Sequence, residues 1–161
     1  MQVLPLNTKL YYFALRYLKD SEDAKDAVQE VFVKLWVISD KLGSYSKLKS
    51  FIYTVTRNLC LDKLKAKRTY SLPETNKMEP VQSGTPAKEL DDYERLQLVK
   101  NIIDGLPEQQ RHVVQLRDID ECTFEEIAEI LDMELNAIRV NLSRARKKIR
   151  DEVAKIYDYG I

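Results

Sequence analysis

The stretch IRVNLSRARKKIR, Ile138–Arg150, contains six basic residues and no acidic residue, in a chain whose 26 basic and 26 acidic residues balance. Arginine can read guanine in the major groove of DNA, and lysine can neutralise phosphates. Ile138, Leu142 and Ala145 recur at spacings of three and four, which predicts a helix with one buried face. Away from that face lie the candidate DNA contacts, Arg139, Asn141, Arg144, Lys147 and Lys148. A solvated basic face is the alternative interpretation.

The residues before this stretch predict the element that would hold it against DNA. Thr123 and Glu126 form the signature of a capping box at the start of a short helix that runs to Leu131. A tight turn separates this helix from a longer one at Leu135–Ile156, and the arrangement is a helix-turn-helix. Residues 118–134 are strongly acidic, so the charge is segregated between the two helices. Segregation explains how a neutral chain can present a surface for nucleic acid.

The composition excludes several classes of protein. No apolar run approaches the roughly 18 residues that span a membrane, and the N-terminus lacks the pattern of a signal peptide, so we expect a cytoplasmic protein. Cys60 and Cys122 lie far apart and His112 is the single histidine, so their spacing offers neither a metal site nor a disulfide framework. The sequence also lacks a nucleophile paired with a base and a glycine-rich phosphate loop. It therefore predicts neither an enzyme nor a cofactor-binding protein.

The segment Thr69–Lys88 divides the chain in two. It contains three prolines, one glycine and no apolar periodicity, which is typical of a flexible linker. Glycine and proline are scarce elsewhere, so we predict an all-α fold of two small helical domains joined by a linker, with boundaries at 1–68, 69–87 and 88–161. Helices are expected in the first domain at about Leu6–Leu18, Ser21–Ile38 and Lys47–Lys67. The second domain is expected to add helices at Ala87–Asp104 and Pro107–Arg117 before the helix-turn-helix.

A second basic segment, Lys47–Arg68, has the composition of a surface for single-stranded nucleic acid. Its basic side chains can follow phosphates, while aromatic rings can stack on unpaired bases. The predicted core stripe on this helix consists of Leu48, Phe51, Ile52, Val55 and Leu59. We therefore assign Phe51 to the core and take Tyr45 and Tyr53 as the aromatic contacts. Arg57 neighbours Tyr53 at a spacing of four residues.

The segment DAVQEVFVKLW, Asp26–Trp36, belongs to a helix with two apolar faces. One face is an ordinary core stripe, composed of Ala24, Ala27, Val28, Val31, Leu35 and Ile38. The second face holds Phe32, Val33, Trp36 and Val37, and it is bordered by Asp26, Gln29 and Glu30. Such a face meets a partner or is covered by a neighbouring helix of the same domain. The pattern alone leaves both possibilities open.

Three blocks of the sequence together resemble the bacterial RNA polymerase sigma factors of the extracytoplasmic function (ECF) group. The first is SEDAKDAVQEVFVKLW, with Phe13–Leu18 before it; the second is KSFIYTVTRNLCLDKLKAKR; the third is Leu106–Arg150. The blocks cover nearly the whole chain except the predicted linker. Many regulators share a helix-turn-helix, whereas the three blocks in this order are distinctive of the group.

The resemblance implies a two-domain subunit that binds core RNA polymerase and directs it to promoter DNA. The first domain would dock on the β′ coiled coil of polymerase through Asp26, Gln29, Glu30, Phe32 and Val33. It would also capture a flipped base of the −10 element and hold the melted strand through Tyr45, Tyr53, Arg57 and Asn58. The second domain would meet the β flap and read the −35 element through Arg139, Asn141 and Arg144, with Lys147 and Lys148 on phosphates.

The resemblance also implies an inhibitor. Factors of this group are commonly held inactive by an anti-sigma protein, often membrane-bound, so we expect a monomer when free or a 1:1 complex with the inhibitor. This chain departs from the group at Asp132, where the turn usually has glycine, and at Val140 and Asn141, where small polar and basic residues are frequent. Aspartate tolerates a left-handed backbone better than most residues, so we expect the turn to form. Val140 could contact a thymine methyl and Asn141 could pair with adenine.

Two functions of other classes remain as alternatives. A stand-alone helix-turn-helix regulator would bind duplex DNA unaided, often as a dimer on a palindrome. An interaction module whose basic helix binds an acidic protein would show no salt-dependent binding to DNA. The second apolar face around Phe32 and Val33 distinguishes a sigma factor from these alternatives, because a sigma factor needs a surface for core polymerase.

Overall fold

The computed structural model describes residues 6–41, 45–69 and 87–158, and it describes side chains at all of these positions except 45, 46 and 87–91. These residues form seven α-helices, numbered in chain order: α1 Leu6–Leu18, α2 Ser21–Val37, α3 Tyr45–Thr69, α4 Ala87–Asp104, α5 Glu108–Val114, α6 Phe124–Leu131 and α7 Leu135–Asp158. A short 3₁₀ turn at Ser39–Lys41 follows α2, and a π-helical segment at Gln115–Ile119 follows α5. The predicted linker falls almost entirely outside the described residues.

The helices divide between two compact units. The first unit contains α1, α2 and α3, and the second contains α4, α5, the first part of α6, and α7. The prediction of an all-α chain with two small helical domains is confirmed. The domain boundaries at 1–68, 69–87 and 88–161 stay predictions.

Polar caps set the connection between α1 and α2. Lys19 adopts a left-handed backbone (φ 57°) and its N–H donates to the carbonyl of Leu15 at 2.8 Å, which ends α1. Asp20 then caps α2, since its Oδ1 accepts from the N–H groups of Glu22 at 2.9 Å and Asp23 at 3.0 Å. The connection is only two residues long, and α1 and α2 pack against each other.

The core of the first unit is centred on Phe13. Its ring contacts the rings of Tyr53 and Tyr17 edge to face, with centroid distances of 5.0 Å and 5.2 Å. Apolar residues of α1 and α2 complete this core, namely Leu10, Ala14, Leu18, Ala24, Ala27, Val28, Val31 and Leu35. The core stripe predicted for α2 is therefore confirmed, apart from its last residue, Ile38, which is half-buried.

The core face of α3 differs from the predicted one. Tyr53 is fully buried, whereas Phe51 is 40% exposed, so the assignment of Phe51 to the core is wrong. Thr56 is also buried, because its Oγ1 donates to the carbonyl of Ile52 at 2.7 Å and needs no water. Cys60 is buried on the same side of the helix. The buried face is thus rotated from the predicted stripe toward Tyr53, Thr56 and Cys60.

In the second unit, α5 continues into the π-helical segment and not as a regular α-helix to Arg117. The segment closes with the N–H of Asp120 donating to the carbonyl of Gln115, and the N–H of Cys122 donates to the carbonyl of Leu116, both at 2.9 Å. A π-helical turn shifts the direction of the side chains that follow it, and such turns are frequent at functional sites.

The helix-turn-helix forms as its sequence predicts. Thr123 and Glu126 make both bonds of the capping box: the N–H of Glu126 donates to Thr123 Oγ1 at 3.1 Å, and the N–H of Thr123 donates to Glu126 Oε1 at 2.9 Å. Asp132 adopts the left-handed conformation (φ 52°, ψ 51°) and ends α6. On α7, Ile138, Leu142 and Ala145 are buried.

Candidate functional site

The second apolar face of α2, composed of Phe32, Val33, Trp36 and Val37, is exposed. Trp36 is 82% exposed and Val33 is 63% exposed, while Ala24, Ala27 and Val31 on the opposite side are fully buried. In the described part of the chain this face is therefore left uncovered, which favours a partner over a neighbouring helix. Trp36 and Val37 are its most exposed members, and the contact set predicted from the sequence did not include them.

The polar border of this face contains acidic residues that pair with lysines of α3 and acidic residues that line a depression. Asp26, Gln29 and Glu30 are all exposed, and with Val33 and Lys34 they line a shallow depression. Lys63 of α3 lies 2.9 Å from Glu30, and Lys67 pairs with Asp23, two turns before Glu30 on the same side of α2. The lysines of α3 thus hold Glu30 and Asp23 to their own unit, and Glu30 lines the depression together with Asp26.

Among the residues predicted to contact the −10 element, the three whose side chains the structure describes, Tyr53, Arg57 and Asn58, do not share one exposed surface. The side chain of Tyr45 lies outside the described residues, and Asn58 is exposed on α3. Tyr53 is fully buried against Phe13, so the prediction that Tyr53 contacts DNA is wrong. The sequence pattern does not decide between Phe51 and Tyr53, two aromatic residues that lie two positions apart and so on nearly opposite sides of one helix.

Arg57 is half-buried and lies near the Tyr17 hydroxyl of α1. Burial raises the pKa of the Tyr17 hydroxyl, and the nearby positive charge of Arg57 acts in the opposite direction. Burial also raises the pKa of the Cys60 thiol, to about 12. Arg57 therefore has a structural role inside the first unit, whatever further contact it makes.

The residues predicted for the −35 element lie along the outer side of α7. Arg139, Arg144, Lys147 and Lys148 are exposed, and Asn141 is half-buried. Asn141 donates from Nδ2 to the carbonyl of Ala137 at 2.8 Å, so its amide is engaged with its own helix.

Two ion pairs engage basic residues of α7 within the second unit, and one of them involves Lys148, a predicted phosphate contact. Lys148 Nζ lies 3.1 Å from Glu152 Oε1, and the hydrogen bond from Lys148 is the main reason that the pKa of Glu152 is lowered. Arg146 donates from Nε and Nη2 to the two carboxylate oxygens of Asp118, at 3.1 Å and 2.6 Å. This bidentate bond raises the pKa of Arg146. The partners are 28 positions apart in the sequence, so no local pattern predicts the pair.

Residues 6–41, 45–69 and 87–158 contain no group of three or more histidine, cysteine, aspartate or glutamate side chains able to hold a metal ion. No helix in the same ranges has the length and apolar character to cross a membrane.

Two family models match the two halves of the chain. The model for Sigma-70 region 2 matches residues 5–69, and the model for Sigma-70, region 4 matches residues 96–149. The ECF RNA polymerase sigma-E factor of Escherichia coli K12 is 31% identical over 143 residues, which are 83% of this chain and 75% of that protein. The ECF RNA polymerase sigma factor SigE of Mycolicibacterium smegmatis is 28% identical over 152 residues, which are 91% of this chain but 58% of that protein.

Two solved structures share the fold. The sigma factor RpoE from Bartonella quintana, crystallised with the anti-sigma factor NepR, has a TM-score of 0.68 and 24% identity, and the match covers 92% of this chain and 91% of that one. CnrH, solved with the cytosolic domain of CnrY, has a TM-score of 0.58 and 18% identity, and the match covers 96% of this chain and 83% of that one.

Proposed function

Because the chain belongs to the extracytoplasmic function group of RNA polymerase sigma factors, we propose that its two units divide promoter recognition between them. A sigma factor is a non-enzymatic initiation subunit that binds core polymerase and promoter DNA. We assign this chain no reaction of its own. A stand-alone helix-turn-helix regulator is not favoured, since the match to region 2 covers α1 to α3, which such a regulator would not need.

The first unit docks on the β′ coiled coil of core polymerase through α2. The observation that carries this proposal is the exposed apolar face of α2, which occurs in the same chain as a helix-turn-helix. Burying a large exposed aromatic such as Trp36 against a partner is the kind of contact that dominates protein interfaces. The docking residues are those predicted from the sequence together with this tryptophan: Asp26, Gln29, Glu30, Phe32, Val33 and Trp36.

The same unit captures the −10 element through α3 and the residues before it. Phe51 replaces Tyr53 as the stacking residue, because Phe51 is exposed and lies seven residues from Asn58, on the same side of the helix. Tyr45 and Arg57 remain in the proposed set. Extracting a base from the stack costs a few kcal/mol, which an aromatic platform and phosphate contacts can offset.

The second unit reads the −35 element with α7 and meets the β flap. Arg139 and Arg144 are suited to guanine, and Lys147 and Lys148 are suited to phosphates. Asn141 can contact a base once it exchanges its bond to Ala137 for one to DNA. The charge of α7 supports this role, since its segment Ile138–Arg150 holds six basic residues and no acid.

We extend two further features of the group to this chain. An anti-sigma protein covers the α2 face when the factor is inactive, and it does so in a 1:1 complex. The relative from Bartonella quintana was crystallised with such an inhibitor, which supports the proposal without identifying the partner here. The site of action is the cytoplasm, where core polymerase works.

Transcription in vitro with core polymerase and this protein tests the proposal. Initiation from a defined set of promoters, with mapped start sites that share two spaced elements, is the expected result. Core polymerase alone is the control. Duplex binding by the protein alone, with no effect on initiation by core polymerase, would instead support a stand-alone regulator.

A pull-down with core polymerase tests the docking surface separately. The double variant Asp26→Arg with Gln29→Ala should bind core polymerase less well and should remain helical by circular dichroism. Unchanged binding to core polymerase would show that the docking surface lies elsewhere.

A further inference from the structure

The ring of Phe124 contacts two guanidinium groups of the second unit. The Cζ atom of Arg117 lies 4.5 Å from the ring centroid, and that of Arg139 lies 5.8 Å from it. Both distances fall within the range of a cation–π contact. Phe124 is the first residue of α6 and has no part in the proposed contacts with DNA, whereas Arg139 extends from α7 and has such a part.

The backbone on both sides of the ring fixes its position. The capping box of Thr123 and Glu126 holds the first turn of α6, in which Phe124 lies. Arg117 donates from Nη1 to the carbonyl of Cys122 at 3.0 Å, so the π-helical segment is tied to the residue two positions before the ring. Phe124 is half-buried and Arg139 is exposed. The ring is therefore the fixed member of the contact, and the Arg139 side chain is the member that has conformational entropy to lose.

We infer that Phe124 is a positioning residue for Arg139, which it orients for the −35 element before DNA binds. The inference rests on the proposed reading of that element by α7. An arginine that is already held loses less side-chain entropy when it binds, so pre-orientation strengthens the contact. The N–H donors of a guanidinium lie in its plane, so contact through its flat face leaves them available to guanine.

The experiment measures initiation by core polymerase with the full chain, on promoters whose −35 bases are changed one at a time. Phe124→Leu removes the aromatic face and keeps the apolar bulk, while Phe124→Tyr keeps the face. We expect Phe124→Leu to lower initiation about two- to fivefold, the range of an exposed cation–π contact. It should also weaken base preference at the same position as Arg139→Ala does, and Phe124→Tyr should retain that preference.

A double-mutant comparison separates positioning from packing. In the Arg139→Ala background, Phe124→Leu should have no further effect on initiation, because the side chain it positions is absent. The matched control is Arg144→Ala, in which background Phe124→Leu should keep its whole effect. Thermal unfolding of each variant accompanies the measurement, and Phe124→Met takes the place of Phe124→Leu if the leucine variant does not fold.

Each other outcome overturns the inference in a recognisable way. An equal loss of initiation with and without Arg139 would make the ring a packing residue only. A gain of initiation in Phe124→Leu would mean that the ring holds Arg139 away from DNA. If Arg139→Ala changed no base preference at any promoter, the proposed role of Arg139 at the −35 element would fail first, and the inference with it.

Discussion

Helices α2 and α7 have the same construction and opposite outer surfaces. Each buries one apolar stripe in its own unit and leaves the other side exposed. On α2 the exposed side is apolar, with Trp36 82% exposed, whereas on α7 it is cationic. In both helices, ion pairs within the unit occupy part of the border charge: Lys63 holds Glu30 on α2, and Asp118 holds Arg146 on α7.

The difference between an apolar and a cationic surface indicates which interaction each helix can use to bind a partner. Burial of apolar area depends weakly on salt at moderate ionic strength, whereas binding to phosphates falls steeply as salt increases. Docking through α2 should therefore tolerate salt, and DNA binding through α7 should not. If binding to core polymerase and binding to DNA showed the same salt dependence, the two surfaces would not bind separate partners as we propose.

The largest effect is expected from the apolar face of α2. Phe32→Ala with Trp36→Ala should weaken binding to core polymerase by about 2 kcal/mol or more, roughly 30-fold, because interface aromatics carry much of the binding energy. Titration of labelled protein with core polymerase measures it, at low and moderate salt. Tyr157→Ala is the matched control, since Tyr157 is an exposed aromatic on α7. Equal losses in the two variants would remove the distinction between the helices.

The cationic face of α7 should show the next largest effect. Arg144→Ala should lower use of promoters that depend on the −35 element by about 1–3 kcal/mol, the usual value of a base contact. Initiation rates on promoters with and without that element measure the loss. Lys155→Ala, near the end of the same helix, is the control and should change little. Unchanged initiation by Arg144→Ala on every promoter would count against the assignment of α7.

The polar border of α2 allows a comparison of two acidic residues: Asp26, which we expect to be available to core polymerase, and Glu30, which pairs with Lys63. Asp26→Ala should weaken docking on core polymerase by about 1 kcal/mol and leave unfolding unchanged. Glu30→Ala should weaken docking less and reduce the free energy of unfolding by a few tenths of a kcal/mol, since it removes an exposed ion pair with Lys63. Polymerase titration and chemical denaturation of both variants provide the test. A larger docking loss for Glu30 would reverse the assignment.

The parts of the fold that could be predicted depend on local chemistry. The Thr123 and Glu126 pair and Asp132 each act within four residues along the chain, so sequence alone indicates the helix ends that they form. The second apolar face of α2 was predictable for the same reason, because Phe32, Val33, Trp36 and Val37 lie off the core stripe of one helix, but the pattern did not decide whether a neighbouring helix covers that face.

The parts that could not be predicted depend on residues distant in sequence. The choice between Phe51 and Tyr53 for the core of α3 is made by Phe13 of α1, whose ring contacts Tyr53. The π-helical segment carries no sequence signal that we recognise, yet it contains Arg117 and Asp118 and so decides two contacts of the candidate site. A basic face read from sequence therefore overcounts the cations that are available for DNA.

The smallest effect is expected from Arg146, a basic residue of α7 that pairs with Asp118 and that we do not expect to contact DNA. Both side chains of the Arg146 and Asp118 pair are more than a third exposed, so water screens it and we expect Arg146→Ala to lower the free energy of unfolding by only about 0.5–1 kcal/mol. Asp118→Asn should cost a similar amount, and the double variant little more than either, by urea denaturation. Initiation from promoters with a −35 element should change much less in Arg146→Ala than in Arg144→Ala. A different result would contradict this: Arg146→Ala impairs initiation as much as Arg144→Ala does and is as stable as the unmodified chain. Arg146 would then bind DNA, and the Arg146–Asp118 pair would not hold a charge within its unit as the Lys63–Glu30 pair does on α2.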